Sequence, residues 1–267
     1  MSEKTREIRR LILEKAYNSK TGHIGSNLSI CDIVWCIYSE ILNVEPSDFD
    51  GEKNNERDRF ILSKGHAGLS LYVALFLKGF ISKAELDSYC DHHGTNFPAH
   101  PKHWIKGVEY SSGSLGQGIT FAVGEALAAK IQKSNRKIYC LISDGEINEG
   151  SCWEAFMFAN HHKLSNLCIL YDNNELQALG KPSEVVENSN IEEKMTAFGF
   201  NVKTLDGHNI DEMESAISSA IKDSKKPIFI NAKTISGKGI SFMEGALKWH
   251  YKSMSEDEYN LALSELV

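Results

Sequence analysis

The second half of the chain alternates short, continuous apolar segments with longer segments in which apolar positions have helical spacing. The apolar segments, which we predict as strands, read KIYCLIS, NLCILY, NVKTLD and PIFINAKTI. The segments between them, which we predict as helices, read CWEAFMFANHHKL, IEEKMTAFG and IDEMESAISSAIKDS. Continuous apolar strands separated by helices indicate a parallel sheet that is covered on both faces. We therefore predict an α/β fold with a parallel sheet and helices on both faces.

The first half of the chain is mainly helical in its pattern. Apolar spacing predicts helices over residues 5–19 and 28–42, with the glycine- and serine-rich stretch TGHIGSNLS between them. RFILSKGH predicts one more strand, and AGLSLYVALFLKG predicts a helix that ends before Gly79. Ser82 and Glu85 have the spacing of a capping box at the start of a further helix. ITFAVGEALAAKIQ predicts another helix, rich in small residues.

Composition narrows the class of protein. The 267 residues carry a formal charge of -7 and 42% hydrophobic residues, which is ordinary for a globular protein. The charges are interspersed, so we expect neither nucleic acid nor a membrane surface as a partner. None of the six cysteines forms a C-x-x-C pair, which argues against a zinc site or a redox pair. Without an apolar leader or a membrane-span pattern, we expect one cytoplasmic domain over residues 1–267.

Polar and glycine residues follow all five predicted strands. The strands are followed by Lys64-Gly65-His66, Asp144-Gly145-Glu146, Asp172-Asn173-Asn174, Asp206-Gly207-His208 and Ser236-Gly237-Lys238-Gly239. Ligands of open parallel α/β sheets bind beyond the carboxyl ends of the strands. Five such ends suggest one shared site.

Asp144 and Asn174 are the strongest candidates for a metal site. They follow consecutive predicted strands and would lie side by side, offering carboxylate and amide oxygens to Mg²⁺ or Ca²⁺. Mg²⁺ commonly uses few protein ligands and binds phosphate oxygens with the rest. Gly145 would let a phosphate approach backbone N–H groups before the next helix. The alternative is that Asp-Gly and Asn-Asn are only turn residues.

Two other nucleotide motifs do not fit. GSLGQG has the order G-x-x-G-x-G and does not follow a buried strand, so the dinucleotide fingerprint fails. SGKGI lacks the G-x-x-x-x-G-K-[ST] pattern of a phosphate loop. The helical spacing of five aromatic residues favours core positions over a stacking surface. These residues are Trp35, Phe76, Trp153, Phe156 and Phe158.

The motifs together resemble the N-terminal, diphosphate-binding half of transketolases. The segments that carry the resemblance are TGHIGSNLS, FILSKGHA, AHP with GVEYSSGSLGQG, SDGEINEGSCWEA, HHKLSNLCILYDNN, and SGKGISFME with WHYK. They occur in the family's order from residue 21 to residue 252. The resemblance implies the thiamine diphosphate-binding fold, thiamine diphosphate and Mg²⁺ (or Ca²⁺) as cofactors, and transfer of a two-carbon ketol unit from a ketose to an aldehyde.

The resemblance also assigns roles to residues. The implied metal ligands are Asp144, Asn174 and the backbone carbonyl of Leu176. The implied cofactor-binding residues are Ser26, His66, Gly113, Leu115, Gly145 and Asn174. The implied catalytic residues are His23, His66, His100, His250 and Glu149, with Glu149 buried at a partner interface. Imidazoles that titrate near neutral pH suit hydrogen bonding to sugar hydroxyls and proton transfer.

Some positions depart from the family or have open roles. Ser143 replaces the usual glycine before the metal aspartate, where its side chain could crowd a diphosphate or hydrogen-bond to it. Pro98-Ala99-His100-Pro101 replaces the usual G-H-P sequence, and Ser114 replaces a proline of many members. His161 and His162 are expected at a helix C-terminus, where the dipole favours them. His208 suits a turn role and a cofactor-facing role equally.

The family's second domain implies a partner. In the family, that domain supplies a glutamate that activates the cofactor and the groups that hold the sugar phosphate. The chain ends at Val267, so we predict that a separate pyrimidine-binding subunit supplies them, in an α2β2 assembly acting on sugars or sugar phosphates. The helix GQGITFAVGEALAAK is the predicted contact face. Alternatives are a subunit of a 2-oxo-acid dehydrogenase or deoxyxylulose-phosphate-type synthase, and a degenerate, non-catalytic subunit.

Overall fold

A five-stranded sheet lies at the centre of the computed structural model, which describes residues 1–50, 54–91 and 97–267. Its strands are β1 Arg59–Leu62, β2 Ile138–Ser143, β3 Leu167–Asn173, β4 Asn201–Asp206 and β5 Ile228–Lys233. They lie in the order β1-β2-β3-β5-β4, and every neighbouring pair is parallel. The predicted parallel sheet is confirmed.

Ten α-helices surround this sheet in the described part of the chain. The longer ones are α1 Glu3–Asn18, α2 Ile24–Cys36, α3 Gly68–Leu77, α5 Gln117–Gln132, α6 Gly150–His161, α9 Ile210–Asp223 and α10 Glu256–Ser264. The shorter ones are α4 Lys83–Asp87, α7 Pro182–Val185 and α8 Ile191–Ala197. A π-helical turn, Ile37–Ile41, continues α2, and 3-10 turns form at Pro46–Phe49, Gly65–Ala67, Glu146–Asn148 and Leu247–His250. Within the described ranges no helix combines the length and apolar character that a membrane crossing requires.

Apolar side chains cover both faces of the sheet. On β2, Ile138, Cys140 and Ile142 belong to a core that includes residues of α5, α6 and α8. Tyr139 and Leu141 belong to a second core, formed with α1, α2, α3 and α9. Because successive side chains of a strand point to opposite faces, a strand that is buried on both faces reads as a continuous apolar segment. The predicted fold class, with helices on both faces, is confirmed.

Local sequence signals located the end of α3 and the start of α4. Gly79 follows α3 with φ +78°, a left-handed conformation that glycine adopts without steric cost. Ser82 and Glu85 form the expected capping box of α4. The start of α2 was predicted wrongly, because the helix begins at Ile24 rather than at residue 28. Gly25 explains the difference: a Cβ there would lie 2.6 Å from Ser236 Oγ, so this glycine serves close packing and not a flexible loop.

The strand order decides which strand ends meet. Ser143 of β2 lies opposite Asp172 of β3, so Asp144 and Asn174 follow neighbouring strands at the same edge of the sheet. The residues after β1, β2 and β3 line one cavity there, whereas those after β4 and β5 do not. The expectation of one site shared by five strand ends is therefore wrong for two of them. Strand β4 is the edge strand beyond β5, and Gly237 after β5 donates its N–H to the Gly25 carbonyl of α2.

Candidate active site

A cavity of about 320 Å³ opens at the carboxyl edge of the sheet. Its lining contains every residue to which the sequence assigned a site role except Glu149. These residues are His23, Ser26, His66, His100, Gly113, Leu115, Asp144, Gly145, Asn174, Leu176 and His250. Lys64 and Gln177, to which no role was assigned from the sequence, also line the cavity.

Two side-chain oxygens converge on one backbone N–H in this cavity. The N–H of Leu176 donates to Asp144 Oδ2 at 3.0 Å and to Asn174 Oδ1 at 2.9 Å. Glu175 has φ +57°, a left-handed conformation that brings Leu176 back toward the Asn174 side chain. Carboxylate and amide oxygens suit Mg²⁺ or Ca²⁺. Among the described residues no group of three or more His, Cys, Asp or Glu could hold a metal ion, so a cation would depend on this mixed set of oxygens.

Hydrogen bonds behind the cavity orient the Asn174 amide. Asn174 Nδ2 donates to Ser29 Oγ and to Asp172 Oδ2, both at 3.0 Å. Ser29 Oγ in turn donates to Asp172 Oδ1 at 2.8 Å, and the Thr234 hydroxyl donates to the same oxygen. With its NH₂ group engaged on this side, Asn174 presents Oδ1 to the cavity.

Asp172 is charge-paired with Lys64 in the interior. Lys64 Nζ donates to Asp172 Oδ2, and the two side chains are 1% and 0% exposed. A buried charge is costly unless it is paired and hydrogen-bonded, and this pair meets both conditions. The available sequence signal was the position of each residue: Lys64 and Asp172 are charged residues at the ends of apolar strands that are buried on both faces.

The pKa of the Asp144 carboxyl is raised to about 7. Burial is the main cause, and the negative charge of Asp172 adds to it. Lys64 and the N–H groups of Gly145 and Leu176 act in the opposite direction. A bound cation would favour the ionised carboxylate, because a nearby positive charge lowers a carboxyl pKa.

Three of the predicted histidines form a cluster in the same cavity. The ring centroids of His23 lie 5.3 Å from His66 and 5.1 Å from His250, and those of His66 and His250 are 5.6 Å apart. The backbone N–H of His23 donates to the backbone carbonyl of His250 at 2.8 Å, which connects the start of α2 to the segment before α10. His23 has φ +57° and a buried Nδ1 without a hydrogen-bond partner. Strained non-glycine residues with free polar atoms are frequent at functional sites.

All four histidines of the cavity have lowered pKa values. Burial lowers the pKa of His23 and of His250 to about 4, and nearby imidazoles and Lys64 add to the effect. Burial also holds the pKa of His66 well below its usual range, and it lowers the pKa of His100. At neutral pH these imidazoles are therefore uncharged, so each ring has one nitrogen that accepts and one that donates.

Gly145 and Ser143 lie where β2 leaves the sheet. The Gly145 N–H donates to Asp144 Oδ1 at 2.8 Å, and the Ser143 hydroxyl accepts the Glu146 N–H at 3.3 Å. Ser143 thus stabilises the turn as well as lining the cavity. A 3-10 turn, Glu146–Asn148, lies between Gly145 and α6, so the backbone N–H groups that follow Gly145 belong to this turn and not to the N-terminus of α6. Glu146, the first residue of this turn, is buried.

Glu149 lies outside the cavity, and Glu146 is buried beside it. Glu149 is exposed at the start of α6. Glu146 is 0% exposed and accepts bonds from the Ser63 hydroxyl and from the Gly116 N–H, at the start of α5. Burial raises the pKa of Glu146 to about 7. The buried carboxylate of this segment is therefore Glu146, while Glu149 is open to solvent in the single chain.

His208 lies in the turn after β4, where its backbone N–H donates to Asp206 Oδ1 at 2.9 Å, so the expected turn role is confirmed and the cofactor-facing role is wrong. The His208 side chain belongs to a separate network outside the cavity. Its Nδ1–H donates to Asp32 Oδ2 at 2.8 Å, and its Nε2 accepts the Ile235 N–H at 3.0 Å. Asp32 is also held by both terminal nitrogens of Arg9, at 2.8 and 2.6 Å. The network joins α1, α2 and the loops after β4 and β5. His161 and His162 lie at the end of α6, as expected.

The sequence and the fold both match one family. The chain matches the family described as transketolase, thiamine diphosphate binding domain, over residues 2–266. The chain belongs to the transketolase family. Its structure superposes on a transketolase from Campylobacter jejuni with a TM-score of 0.90 and 33% identity, covering 100% of this chain and 43% of that chain. A transketolase from Leishmania mexicana gives a TM-score of 0.89 at 28% identity, with 100% and 41% coverage.

Relatives of similar length are named as subunits. The chain is 39% identical to a subunit of the apulose-4-phosphate transketolase of Phocaeicola vulgatus, over 97% of this chain and 90% of the relative. It is also 39% identical to the 6-deoxy-6-sulfo-D-fructose transketolase subunit SqwG of a Clostridium species, over 97% and 93%. By contrast, it spans less than half the length of the solved transketolases that it matches.

Proposed function

We propose that the chain is the N-terminal, diphosphate-binding subunit of a heteromeric transketolase. With a partner it transfers a two-carbon ketol unit from a ketose donor to an aldehyde acceptor. The observation that carries the proposal is the convergence of Asp144 Oδ2 and Asn174 Oδ1 in a cavity that also holds a cluster of uncharged histidines. Thiamine diphosphate and Mg²⁺ (or Ca²⁺) are the proposed cofactors, bound by one domain over residues 1–267.

The donor set fits a divalent cation. The Asp144 carboxylate, the Asn174 amide oxygen and the Leu176 carbonyl would hold it. Asp144 is 2% exposed, and the hydrogen bonds to its carboxylate come from backbone N–H groups, so a cation would compensate its buried charge. Few protein oxygens leave coordination positions for phosphate oxygens, the usual arrangement for Mg²⁺.

The histidines fit the handling of a polyhydroxylated substrate. When bound, thiamine diphosphate supplies the carbanion that attacks the ketose carbonyl. In our proposal His23, His66, His100 and His250 bind sugar hydroxyls and accept or return their protons. Uncharged imidazoles suit this role because each offers one donor and one acceptor nitrogen.

We propose that a pyrimidine-binding subunit completes the site in an α2β2 assembly. The relatives named as subunits, which the chain nearly spans, support this proposal. An apolar groove of about 300 Å³ between α5 and α6 is a suitable contact face, because Val123, Leu127 and Ala155 line it with the 43%-exposed ring of Phe158. Phe158 is thus an exception to the expected core position. Glu149, exposed at the start of α6, would be covered by such a contact.

The proposed substrates are sugars or sugar phosphates. The two relatives are named for apulose-4-phosphate and for 6-deoxy-6-sulfo-D-fructose. Both compounds are sugars with an anionic group, which is a phosphate in the first and a sulfonate in the second. We propose a cytoplasmic reaction, in keeping with the sequence.

Reconstitution with a partner tests the proposal. The chain, a candidate pyrimidine-binding partner and their mixture are each assayed for consumption of hydroxypyruvate with an aldehyde acceptor, thiamine diphosphate and Mg²⁺. We expect turnover only in the mixture. Asp144→Asn should abolish it at ordinary Mg²⁺ concentrations, because it removes the charged ligand. Asp206→Asn, the same change at the end of β4 and outside the cavity, should leave it unchanged.

Three outcomes would contradict the proposal. Turnover by the chain alone would show that no partner is needed. In a parallel assay with pyruvate in place of hydroxypyruvate, consumption of pyruvate without ketol transfer would indicate the 2-oxo-acid class of enzyme. A mixture that assembles but binds no thiamine diphosphate would indicate a non-catalytic subunit.

A further inference from the structure

Gln177 carries a buried donor without a partner in the cavity. Its side chain lines the cavity with Asp144 and Gly145, and the residue is 7% exposed. The Nε2 amide group is buried and has no hydrogen-bond partner. Buried polar groups are nearly always satisfied, so an orphaned amide in a ligand cavity indicates a missing acceptor.

A series of three side-chain amides sets the direction of this donor. Asn188 Nδ2 donates to Asn148 Oδ1, and Asn148 Nδ2 donates to Gln177 Oε1 at 3.2 Å. The carbonyl oxygen of Gln177 is therefore occupied, and its NH₂ group is left free.

The surroundings define the chemistry of the missing acceptor. Three side-chain carbons of Gln177 lie 3.6 to 3.8 Å from the position that a Cβ on Gly145 would occupy. Gln177 is thus adjacent to the glycine that would admit a phosphate and to the oxygens that would hold a cation. An anionic oxygen at this place would accept a strong, charge-assisted hydrogen bond.

We propose that Gln177 Nε2 donates a hydrogen bond to a phosphate oxygen of the bound diphosphate, and that Asn148 and Asn188 position it. The inference rests on the proposed function and adds to it a side-chain contact. Gln177 is then a binding residue, while Asn148 and Asn188 act through it.

The test uses the full chain and Mg²⁺ with inorganic pyrophosphate, which carries the diphosphate chemistry without the thiamine rings. Calorimetric titration compares the wild type with Gln177→Met, which removes the donor, and with Gln177→Glu, which keeps the acceptor for Asn148. We expect both variants to weaken pyrophosphate binding at least tenfold, because each loses a hydrogen bond to a charged acceptor. A tenfold loss corresponds to about 1.4 kcal/mol. The control Gln132→Leu, at the exposed end of α5, should bind like the wild type.

The melting temperature without ligand separates binding from folding. Gln177→Glu places a second carboxylate in the cavity that holds the buried Asp144, so we expect it to lower the ligand-free melting temperature. Gln177→Met adds no charge, so its ligand-free melting temperature should stay within about 4 °C of the wild type. Asn188→Leu should weaken pyrophosphate binding less than Gln177→Met does, because it removes only the positioning contact.

Defined outcomes overturn the inference. Binding by Gln177→Met within twofold of the wild type would remove Gln177 from the diphosphate site, even if Gln177→Glu lost affinity through its charge. Failure of the wild-type chain to bind Mg²⁺ and pyrophosphate would also overturn it. The proposed function is judged separately by turnover of the reconstituted mixture, so unaffected variants of an active assembly would refute the inference alone.

Discussion

The buried pair of Lys64 and Asp172 makes a quantitative prediction about stability. Lys64→Met keeps the length and apolar stem of the side chain and removes only its charged end. The Asp172 carboxylate, 0% exposed, then loses its cationic partner. We expect Lys64→Met to destabilise the chain, because it leaves an uncompensated charge in the interior.

The magnitude follows from the contacts that remain. Removing one partner of a buried ion pair typically costs about 3–5 kcal/mol. Asp172 keeps hydrogen bonds from the hydroxyls of Ser29 and Thr234 and from the Asn174 amide. These bonds offset part of the loss, so we expect the lower end, about 3 kcal/mol. Asp172→Asn alone should also destabilise, because it leaves a buried ammonium group.

Urea denaturation of the four proteins of a double-mutant cycle measures the effect. The double variant Lys64→Met/Asp172→Asn removes both charges, so it should lose less than the two single variants together. We expect a coupling free energy of about 2 kcal/mol, within the range found for residues in contact. Coincident transitions by fluorescence and circular dichroism are required, because the free energy assumes two-state unfolding.

An exposed lysine is the matched control. Lys83 forms an ion pair with Asp87, but the side chains are 64% and 43% exposed. Lys83→Met should change the free energy of unfolding by no more than about 0.5 kcal/mol, since surface pairs contribute little. If Lys64→Met costs no more than Lys83→Met, and the cycle shows no coupling, our account of the interior pair is refuted.

Two further predictions concern packing and protonation. Gly118→Ala should destabilise the chain, because the new Cβ would lie 2.7 Å from Ser63 Cα. Gly124→Ala, in the same helix, meets no atom within 4 Å and should stabilise the chain by up to about 1 kcal/mol. Equal urea midpoints for the two variants would contradict this prediction. Because the pKa values of His23 and His250 are lowered to about 4, these side chains bind protons more weakly in the folded state than in the unfolded state. Stability should therefore be fully present above about pH 6.5, the ordinary histidine pKa, and fall as the pH decreases toward about 4. The double variant His23→Gln/His250→Gln should lose less stability over that interval, and a loss equal to that of the wild type would refute the assignment.

The sequence by itself determined the fold class and predicted most of the residues that line the cavity. A strand buried on both faces must be apolar at consecutive positions, so β2 and β3 could be predicted from their continuous apolar sequences alone. Polar residues that end such strands must lie at the sheet edge, which brought Asp144 and Asn174 together in the prediction. Local signals such as Gly79 and the capping box of α4 were equally readable, because their physical causes act within a few residues.

Only the tertiary structure decided which of these ends share a cavity. Strand β5 lies between β3 and β4, and no local spacing specifies that order, so the exclusion of His208 from the site could not be predicted. Lys64 pairs with Asp172 on β3, and Gln177 accepts a hydrogen bond from Asn148 in the 3-10 turn after Asp144. Both partners are distant in sequence. The burial of Glu146 has the same cause, because its hydrogen-bond partners, Ser63 and Gly116, lie on distant segments of the chain. Contacts between distant segments depend on how the strands are ordered, and burial follows from those contacts.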